Sequence, residues 1–482
     1  MRSKSRKLAL TMALGLAVAV AAPSAAAAKS HGQSTDQVSF SWIQGFNDPA
    51  TPDNLDRVGV LKIGNPKAKN VLVLNPGTSA GSGYFKPLAD DVVARTDGRW
   101  QVWSVERREN QLEDQSVLDK FKQGQANSQQ LFDYYLGWLT NPSITDHFQL
   151  IPDASVAFGR GWGMNVEMED LHRVVDAADQ HGRRVVLGGH SLGGSITTAY
   201  ATWDFNGKAG AKDLSGLVYI DGGSNPVPVT PQQATQSLQT LQTSSPWLAF
   251  GGIPSPFLGI FSAAGSCGTV YDPNSPSLGY SFPLLPANLK PPLPAGVVPT
   301  NEAQFGYAVS VPSSPSNLIA AQVHAGHIAA SGNPRGWERA GAITSIQRYA
   351  AMLCGKGLTG LDGSAWYHPM RLTIDSGAVA DGNANPAQSI LNVKAIHGNA
   401  VKMPIYAFGA ALGGQGVLET AKILAHQSGV PDSKLTLINR QSTYSHNDPS
   451  AASPNNEFID NLIPFLAKVG KRHFPHFPHF PH

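Results

Sequence analysis

The 482-residue sequence has few cysteines, almost no charge imbalance, and no long apolar segment beyond its first residues. Its two cysteines, Cys267 and Cys354, allow at most one disulfide, as an exported protein would carry, or else two separate buried thiols. The 36 Lys and Arg residues nearly balance the 34 Asp and Glu residues. Positive and negative residues are dispersed along the sequence and form no basic stripe. The sequence therefore does not indicate a nucleic-acid-binding surface. No later stretch reaches the ~20 apolar residues of a membrane-spanning helix, so we expect no transmembrane anchor in the mature chain.

Residues 1–28 have the pattern of a secretory signal peptide. Four basic residues among the first seven precede an apolar segment over 8–22, and Ala26–Ala28 supplies a small-residue cleavage site. A membrane anchor is the weaker alternative, because the apolar segment falls short of the ~20 residues that span a bilayer. We therefore expect a secreted, extracellular protein.

A serine-bearing turn follows a short apolar run in the middle of the chain. Residues 184–188 read Arg-Val-Val-Leu-Gly, residues 189–193 read Gly-His-Ser-Leu-Gly, and a run of small residues follows. This order predicts a strand, a sharp turn and a helix, and glycines beside Ser191 permit the strained backbone of such a turn. The turn would expose the Ser191 hydroxyl and aim the Leu192 amide at a developing oxyanion.

A second Gly-x-Ser-x-Gly copy, Gly77–Gly81, follows the apolar run 71–74, so the two serines must be distinguished by their place in the fold. Short β-branched and aromatic runs bounded by Gly, Pro and Asn predict eight strands. The later strands alternate with helical patterns, which predicts an α/β fold with a mostly parallel sheet and helices on both faces. Ser191 follows the fifth strand and Ser79 the third. The predicted strands are 38–45, 58–63, 71–75, 100–105, 184–188, 216–220, 403–408 and 435–439.

With these motifs on these strands, the chain resembles the α/β-hydrolase superfamily, and within it secreted bacterial serine esterases and lipases. In that family the nucleophile turn follows strand five and the oxyanion-hole loop follows strand three. The resemblance implies that Ser191 is the nucleophile and that residues 75–83 form the oxyanion loop. Aligning Pro76-Gly77 with the family's His-Gly makes Thr78 the second amide donor beside Leu192, with Ser79 the neighbouring possibility. The chain departs from the family in having proline in place of histidine.

The resemblance also implies a general base and an acid. His446 follows the eighth strand, where the family carries its histidine, and among fifteen histidines only it combines that position with a polar loop. The loop after the seventh strand has no carboxylate before Glu419, whereas Asp221 directly follows the sixth strand. That placement is similar to pancreatic-type lipases. It implies a triad of Ser191, Asp221 and His446, with Glu419 as the other candidate acid and capping of backbone amides as the other role for Asp221.

The lengths of the connections predict the domain organisation. Residues 29–221 and 402–470 would form the hydrolase core, with a small insertion at 106–163. Residues 222–401 are far longer than a connecting helix needs and would form a cap or lid. Helical patterns over 317–330 and 338–353 would place His324 and His327 on one helix face, as structural residues rather than metal ligands. The His-Phe-Pro repeat in 471–482 predicts a disordered tail rather than a metal site.

These features together predict an enzyme: a secreted serine hydrolase of the lipase or carboxylesterase type. Its substrate would be a small-molecule or lipid-like ester, since the predicted cap is rich in apolar and aromatic residues. No cofactor or metal is required for this chemistry. The alternatives are an amidase or peptidase with the same triad, and a non-catalytic secreted binding protein on a hydrolase scaffold.

Overall fold

The computed structural model describes residues 37–311 and 313–470. The predicted signal peptide, 1–28, and the predicted tail, 471–482, lie outside the described residues. None of the helices in the described part of the chain combines the length and the apolar character that crossing a bilayer requires.

A central eight-stranded sheet forms from the apolar runs of the sequence, in the order β1-β2-β4-β3-β5-β6-β7-β8. Strand β2 is antiparallel to both neighbours, and all the other pairings are parallel. This confirms the predicted fold class, and each predicted strand overlaps an observed one. The strands are β1 Val38–Gln44, β2 Arg57–Ile63, β3 Asn70–Asn75, β4 Trp100–Glu106, β5 Arg184–His190, β6 Gly216–Ile220, β7 Ile405–Gly409 and β8 Leu435–Asn439.

The central strands are apolar at consecutive positions because both faces of the sheet are covered. In β3, Val71 and Val73 belong to one buried cluster, and Leu72 and Leu74 belong to the cluster on the opposite face. Side chains alternate between the faces of a strand, so a strand covered on both faces needs an unbroken apolar run. This arrangement leaves the carboxyl ends of the parallel strands as the edge where loops can assemble a site.

Helices cover the two faces and fill two long connections. Helices α4, α5 and α13 contribute to the first cluster, and α1, α10 and α15 to the second. The helices are α1 Lys86–Arg95, α2 Ser116–Lys122, α3 Ser128–Tyr135, α4 Met164–Asp179, α5 Leu192–Thr202, α6 Pro231–Thr243, α7 Phe257–Tyr271, α8 Leu278–Ser281, α9 Asn301–Val309, α10 Ile346–Cys354, α11 Met370–Ser376, α12 Pro386–Leu391, α13 Gly414–His426, α14 Asp448–Ala451 and α15 Glu457–Val469.

The predicted helix over 317–330 is wrong. Only a short 3-10 helix, Ser316–Ala321, lies there, and it is followed by an antiparallel hairpin of His327–Gly332 with Arg335–Glu338. Gly326 and Gly332 have φ values of +106° and +111°, which a helix does not accommodate. His324 and His327 therefore do not share a helix face. The second predicted helix, 338–353, begins later than expected, as α10.

A disulfide joins Cys267 in α7 to Cys354 at the end of α10. Of the two alternatives that the sequence allows, the structure has the disulfide rather than two thiols. Both half-cystines are fully buried. Both lie in the segment between β6 and β7. The bond closes a segment with a sequence separation of 87 and links two helices whose side chains line the cavity described below.

Candidate active site

Ser191 lies in the turn between β5 and α5, with φ +57° and ψ −124°. This is a strained conformation for a residue other than glycine, and it persists only where the surroundings enforce it. The surroundings are tight: a Cβ on Gly189 would lie 2.1 Å from the Gly193 carbonyl oxygen, and one on Gly193 would lie 2.1 Å from the Asn75 carbonyl oxygen. The glycines of the motif are therefore required by close backbone packing beneath the serine.

The Leu192 amide begins helix α5 directly after Ser191. The first amides of an α-helix have no carbonyl acceptor within the helix, and they carry the positive end of the helix dipole. An anion that forms beside Ser191 can therefore accept a hydrogen bond from Leu192.

His446 and Asp221 form a fully buried contact. Nδ1 of His446 lies 2.7 Å from Oδ2 of Asp221, and the two side chains are 1% and 0% exposed. A carboxylate at this distance holds the imidazole with its proton on Nδ1 and leaves Nε2 as the acceptor. Nε2 has no hydrogen-bond partner among the described residues. His446 and Ser191 line the same cavity.

Asp221 also accepts hydrogen bonds from four backbone amides in the loop after β7. Their distances to its carboxylate oxygens are 2.6 to 3.2 Å, from Ala410, Leu412, Gly413 and Gly414. Burial by itself raises the pKa of the Asp221 carboxyl. The hydrogen bond and charge of His446, together with the Ala410 amide, lower this pKa by more than burial raises it. The net pKa lies below its ordinary value, so Asp221 is a carboxylate. Asp221 thus contacts both the His446 imidazole and the backbone amides of this loop.

Glu419, the other candidate acid, lies on an exposed face of α13. Its carboxylate is bonded to Gln415 and to Lys422, with a distance of 3.2 Å to the Lys422 ammonium. The structure therefore brings Asp221, and not Glu419, to Nδ1 of His446.

The loop after β3 lies directly against Ser191. A Cβ on Gly77 would be 2.8 Å from the Ser191 Cβ, and both Thr78 and Ser79 line the cavity. The Ser79 amide faces Nδ1 of His368 at 3.5 Å, and burial holds the pKa of His368 well below its ordinary value, so that this ring is a neutral acceptor. Between the two predicted amide donors of this loop, the geometry thus favours Thr78 over Ser79.

The cavity beside Ser191 has a volume of about 240 Å³. Ser191, His446 and Thr78 are among the polar residues that line it. Its walls are mainly apolar, with contributions from α3, α7, α9 and α10. Such a cavity suits a ligand with one polar reactive group and an apolar remainder. Apolar residues in its wall include Leu131, Phe132, Leu258, Phe261, Phe305 and Leu353.

His190, the residue before Ser191, supports the loop that carries His446. Its Nε2 donates to the His446 carbonyl oxygen at 2.9 Å, and its ring is stacked on Tyr84. Tyr84 in turn donates to Asn447 Oδ1 at 2.8 Å. Burial and the neighbouring His446 lower the pKa of His190, so it stays neutral. Neither His190 nor Tyr84 is marked by the sequence as a site residue, except that His190 lies within the serine motif.

Within residues 37–311 and 313–470, no group of three or more His, Cys, Asp or Glu side chains is arranged to hold a metal ion. His324 instead contacts Asp448, with 2.7 Å between Nδ1 and Oδ2.

The sequence profile of the Alpha/beta hydrolase family matches residues 71–364, and the chain belongs to this family. The match includes Ser191 and Asp221, whereas His446 lies beyond it. No curated protein matches the sequence significantly.

Three solved structures of low sequence identity are similar to the chain. A candidate lipase from Sulfolobus solfataricus is 13% identical, with 91% of this chain and 96% of that chain covered and a TM-score of 0.49. A soluble variant of monoglyceride lipase from Saccharomyces cerevisiae is 9% identical (92% and 97% covered, TM-score 0.39). Monoacylglycerol lipase from Paleococcus ferrophilus is 12% identical (85% and 98% covered, TM-score 0.37).

Proposed function

We propose that the protein is a secreted serine hydrolase that cleaves carboxylic esters through an acyl-enzyme on Ser191. The observation that carries the proposal is the buried 2.7 Å contact between His446 and Asp221, on a histidine that shares a cavity with Ser191. A serine hydroxyl is a weak nucleophile on its own and needs an oriented base beside it. An imidazole held by a carboxylate, with an Nε2 that has no partner among the described residues, has the character of such a base.

In the proposed reaction, His446 Nε2 removes the proton from Ser191 Oγ as Oγ attacks the ester carbonyl carbon. The amides of Leu192 and Thr78 hold the resulting oxyanion. The intermediate then collapses, the bond to the alcohol oxygen breaks, and His446 returns the proton to the departing alcohol. Water, deprotonated by His446, attacks the acyl-enzyme in the same way and releases the carboxylic acid with Ser191 restored.

The cavity favours an ester with an apolar acyl group over a charged one. Its walls beyond Ser191 are mainly apolar, so a charged substituent would lose its hydration with little compensation there. The proposed export of the protein is supported by its disulfide, since disulfides persist in oxidising compartments.

The test is covalent labelling of the purified protein with a fluorophosphonate, measured by intact mass. Wild type should gain one adduct, Ser191→Ala should gain none, and Ser79→Ala should still be labelled, because Ser79 belongs to the other Gly-x-Ser-x-Gly copy. A panel of p-nitrophenyl esters of increasing chain length then measures ester cleavage. Labelling without ester cleavage but with amide cleavage would favour the amidase alternative. An unlabelled wild type would favour the non-catalytic binding protein.

A further inference from the structure

Arg107 is a buried arginine whose side chain donates hydrogen bonds to the loop beside Ser191. It follows β4 directly and is 2% exposed. Nη1 donates to the Pro76 carbonyl oxygen at 2.9 Å, and Nη2 donates to those of Gly77 and Ala80 at 2.9 and 3.2 Å. Nε donates to Oε1 of Glu109 at 2.8 Å, which compensates the charge. Removing a guanidinium from water is costly, so these contacts have to be well formed for it to remain there.

The contact with Gly77 determines where the next amide points. The Gly77–Thr78 peptide bond is not among the cis bonds of the described residues, so it is trans, and its carbonyl and its N–H point in opposite directions. Because Arg107 holds the Gly77 carbonyl oxygen on one side, the Thr78 N–H points to the other. Gly77 also lies against Ser191, since a Cβ on Gly77 would be 2.8 Å from the Ser191 Cβ.

Other groups of the loop are held by different partners. The Ser79 carbonyl oxygen accepts from the Ala365 amide at 2.9 Å, and the Gly81 amide donates to the Gly363 carbonyl oxygen at 3.1 Å. Arg107 is therefore the group that fixes the plane of the peptide carrying the Thr78 amide.

The geometry points to Arg107 as a positioning residue for the oxyanion hole. It holds the Gly77–Thr78 peptide in the orientation that presents the Thr78 N–H to the substrate oxygen. If that peptide rotated, the Gly77 carbonyl oxygen would face the developing negative charge, and attraction would become repulsion. This inference rests on the proposed serine-hydrolase function, since Arg107 acts only through the oxyanion loop.

Arg108, the next residue, is a matched control. It is also 2% exposed and also paired with carboxylates, at 2.8 Å from Asp56 and 2.7 Å from Asp170. Among the described residues, the one backbone group that its side chain binds is the Phe46 carbonyl oxygen, which lies outside residues 76–81. Replacing Arg108 therefore disturbs a buried ion pair of the same kind without touching the oxyanion loop.

The experiment compares Arg107→Lys with Arg108→Lys on p-nitrophenyl butyrate, with active enzyme counted by fluorophosphonate. A lysine keeps the charge but cannot bind several carbonyl oxygens as a planar fork does. We expect Arg107→Lys to lower kcat about tenfold to a hundredfold with KM little changed, as for a misdirected oxyanion donor. The pH dependence of kcat should keep its shape, because His446 and Asp221 are untouched. Arg108→Lys should keep the wild-type kcat per active site.

Should Arg107→Lys fail to fold, Glu109→Gln gives the second measurement. It leaves the arginine in place and removes the charge that anchors Nε, so kcat should fall by a smaller factor, again with KM unchanged. The inference is overturned if the Arg107 variant, or Glu109→Gln in its place, matches Arg108→Lys in kcat. If wild type neither labels nor cleaves esters, the proposed function fails, and the role of Arg107 falls with it. The activity of wild type thus separates the two failures.

Discussion

Nδ1 of His446 lies 2.7 Å from Oδ2 of Asp221, across a sequence separation of 225 residues. Asp221→Asn keeps the shape of this pair but offers an amide group to Nδ1, which favours the tautomer with its proton on Nε2. We expect kcat for ester cleavage to fall about ten-thousandfold, as in other triads with this change. Ester hydrolysis at saturating substrate measures it.

Glu419→Gln is the control for that substitution, because Glu419 was the other candidate acid in the sequence. Its side chain is about half exposed and its carboxylate is bonded to neighbours on α13, so the variant should retain the wild-type kcat. If Glu419→Gln lost activity and Asp221→Asn kept it, the assignment of the acid would be wrong.

Asp448 links the long segment between β6 and β7 to the loop that carries His446 through hydrogen bonds. Its carboxylate, which is fully buried, lies 2.7 Å from His324 Nδ1 and accepts from Thr344 Oγ1 and the Ser445 amide at 2.7 Å each. In Asp448→Asn the side-chain NH2 group, a donor, would face groups that donate to the carboxylate in wild type. We therefore expect the free energy of unfolding to fall by about 2–4 kcal/mol. Urea unfolding measures the change.

Asp460→Asn provides the comparison. Asp460 is paired with Arg95 at 2.7 Å, but both side chains are about half exposed, and such pairs contribute roughly 0–1 kcal/mol. If the two substitutions lowered the free energy of unfolding equally, the stabilising role of the buried Asp448 contacts would be contradicted.

Stability should decrease as pH rises through the neutral range. Burial raises the pKa of the Glu167 carboxyl from 4.5 to about 8, so the native state keeps a proton that the unfolded state releases above about pH 4.5. Between these values each pH unit lowers the free energy of unfolding by about 1.4 kcal/mol for this group. Glu167→Gln cannot titrate, so its stability should fall less steeply when urea unfolding is measured from pH 5 to pH 8.

Other buried carboxyls contribute to the same trend, since burial also raises the pKa of Glu106 to about 7. Glu106 is present in both proteins, so the difference between their slopes isolates Glu167. Parallel slopes for wild type and Glu167→Gln would show that Glu167 is ionised in the native state.

The disulfide between Cys267 and Cys354 should stabilise the folded chain. A cross-link with a sequence separation of 87 removes loop entropy from the unfolded state worth about 4.6 kcal/mol in the chain-entropy model. We therefore expect the Cys267→Ser, Cys354→Ser double variant to lose about 3–5 kcal/mol in urea unfolding. Dithiothreitol should lower the stability of wild type toward that of the variant and leave the variant unaffected. A dithiothreitol effect of the same size on both proteins would contradict a stabilising disulfide.

The sequence determined the sheet and the turn that carries Ser191. Runs such as Val71–Leu74 must become strands covered on both faces, and Gly189 and Gly193 mark a turn where a side chain would collide with backbone. These are local properties, set by the period of apolar residues and by the absence of a Cβ. The oxyanion role expected for Gly77–Gly81 came instead from the resemblance to the α/β-hydrolase family, which places that loop after strand three.

Only the tertiary structure placed Asp221, and not Glu419, beside His446, replaced the helix expected over 317–330 with a hairpin, and brought Arg107 to the loop after β3. Each depends on a partner far away in the chain. Asp221 meets amides 189 to 193 residues further on, and Arg107 binds backbone carbonyl oxygens 27 to 31 residues before it. A carbonyl oxygen is common to every residue type, so a side chain that binds the backbone leaves no pattern in the sequence.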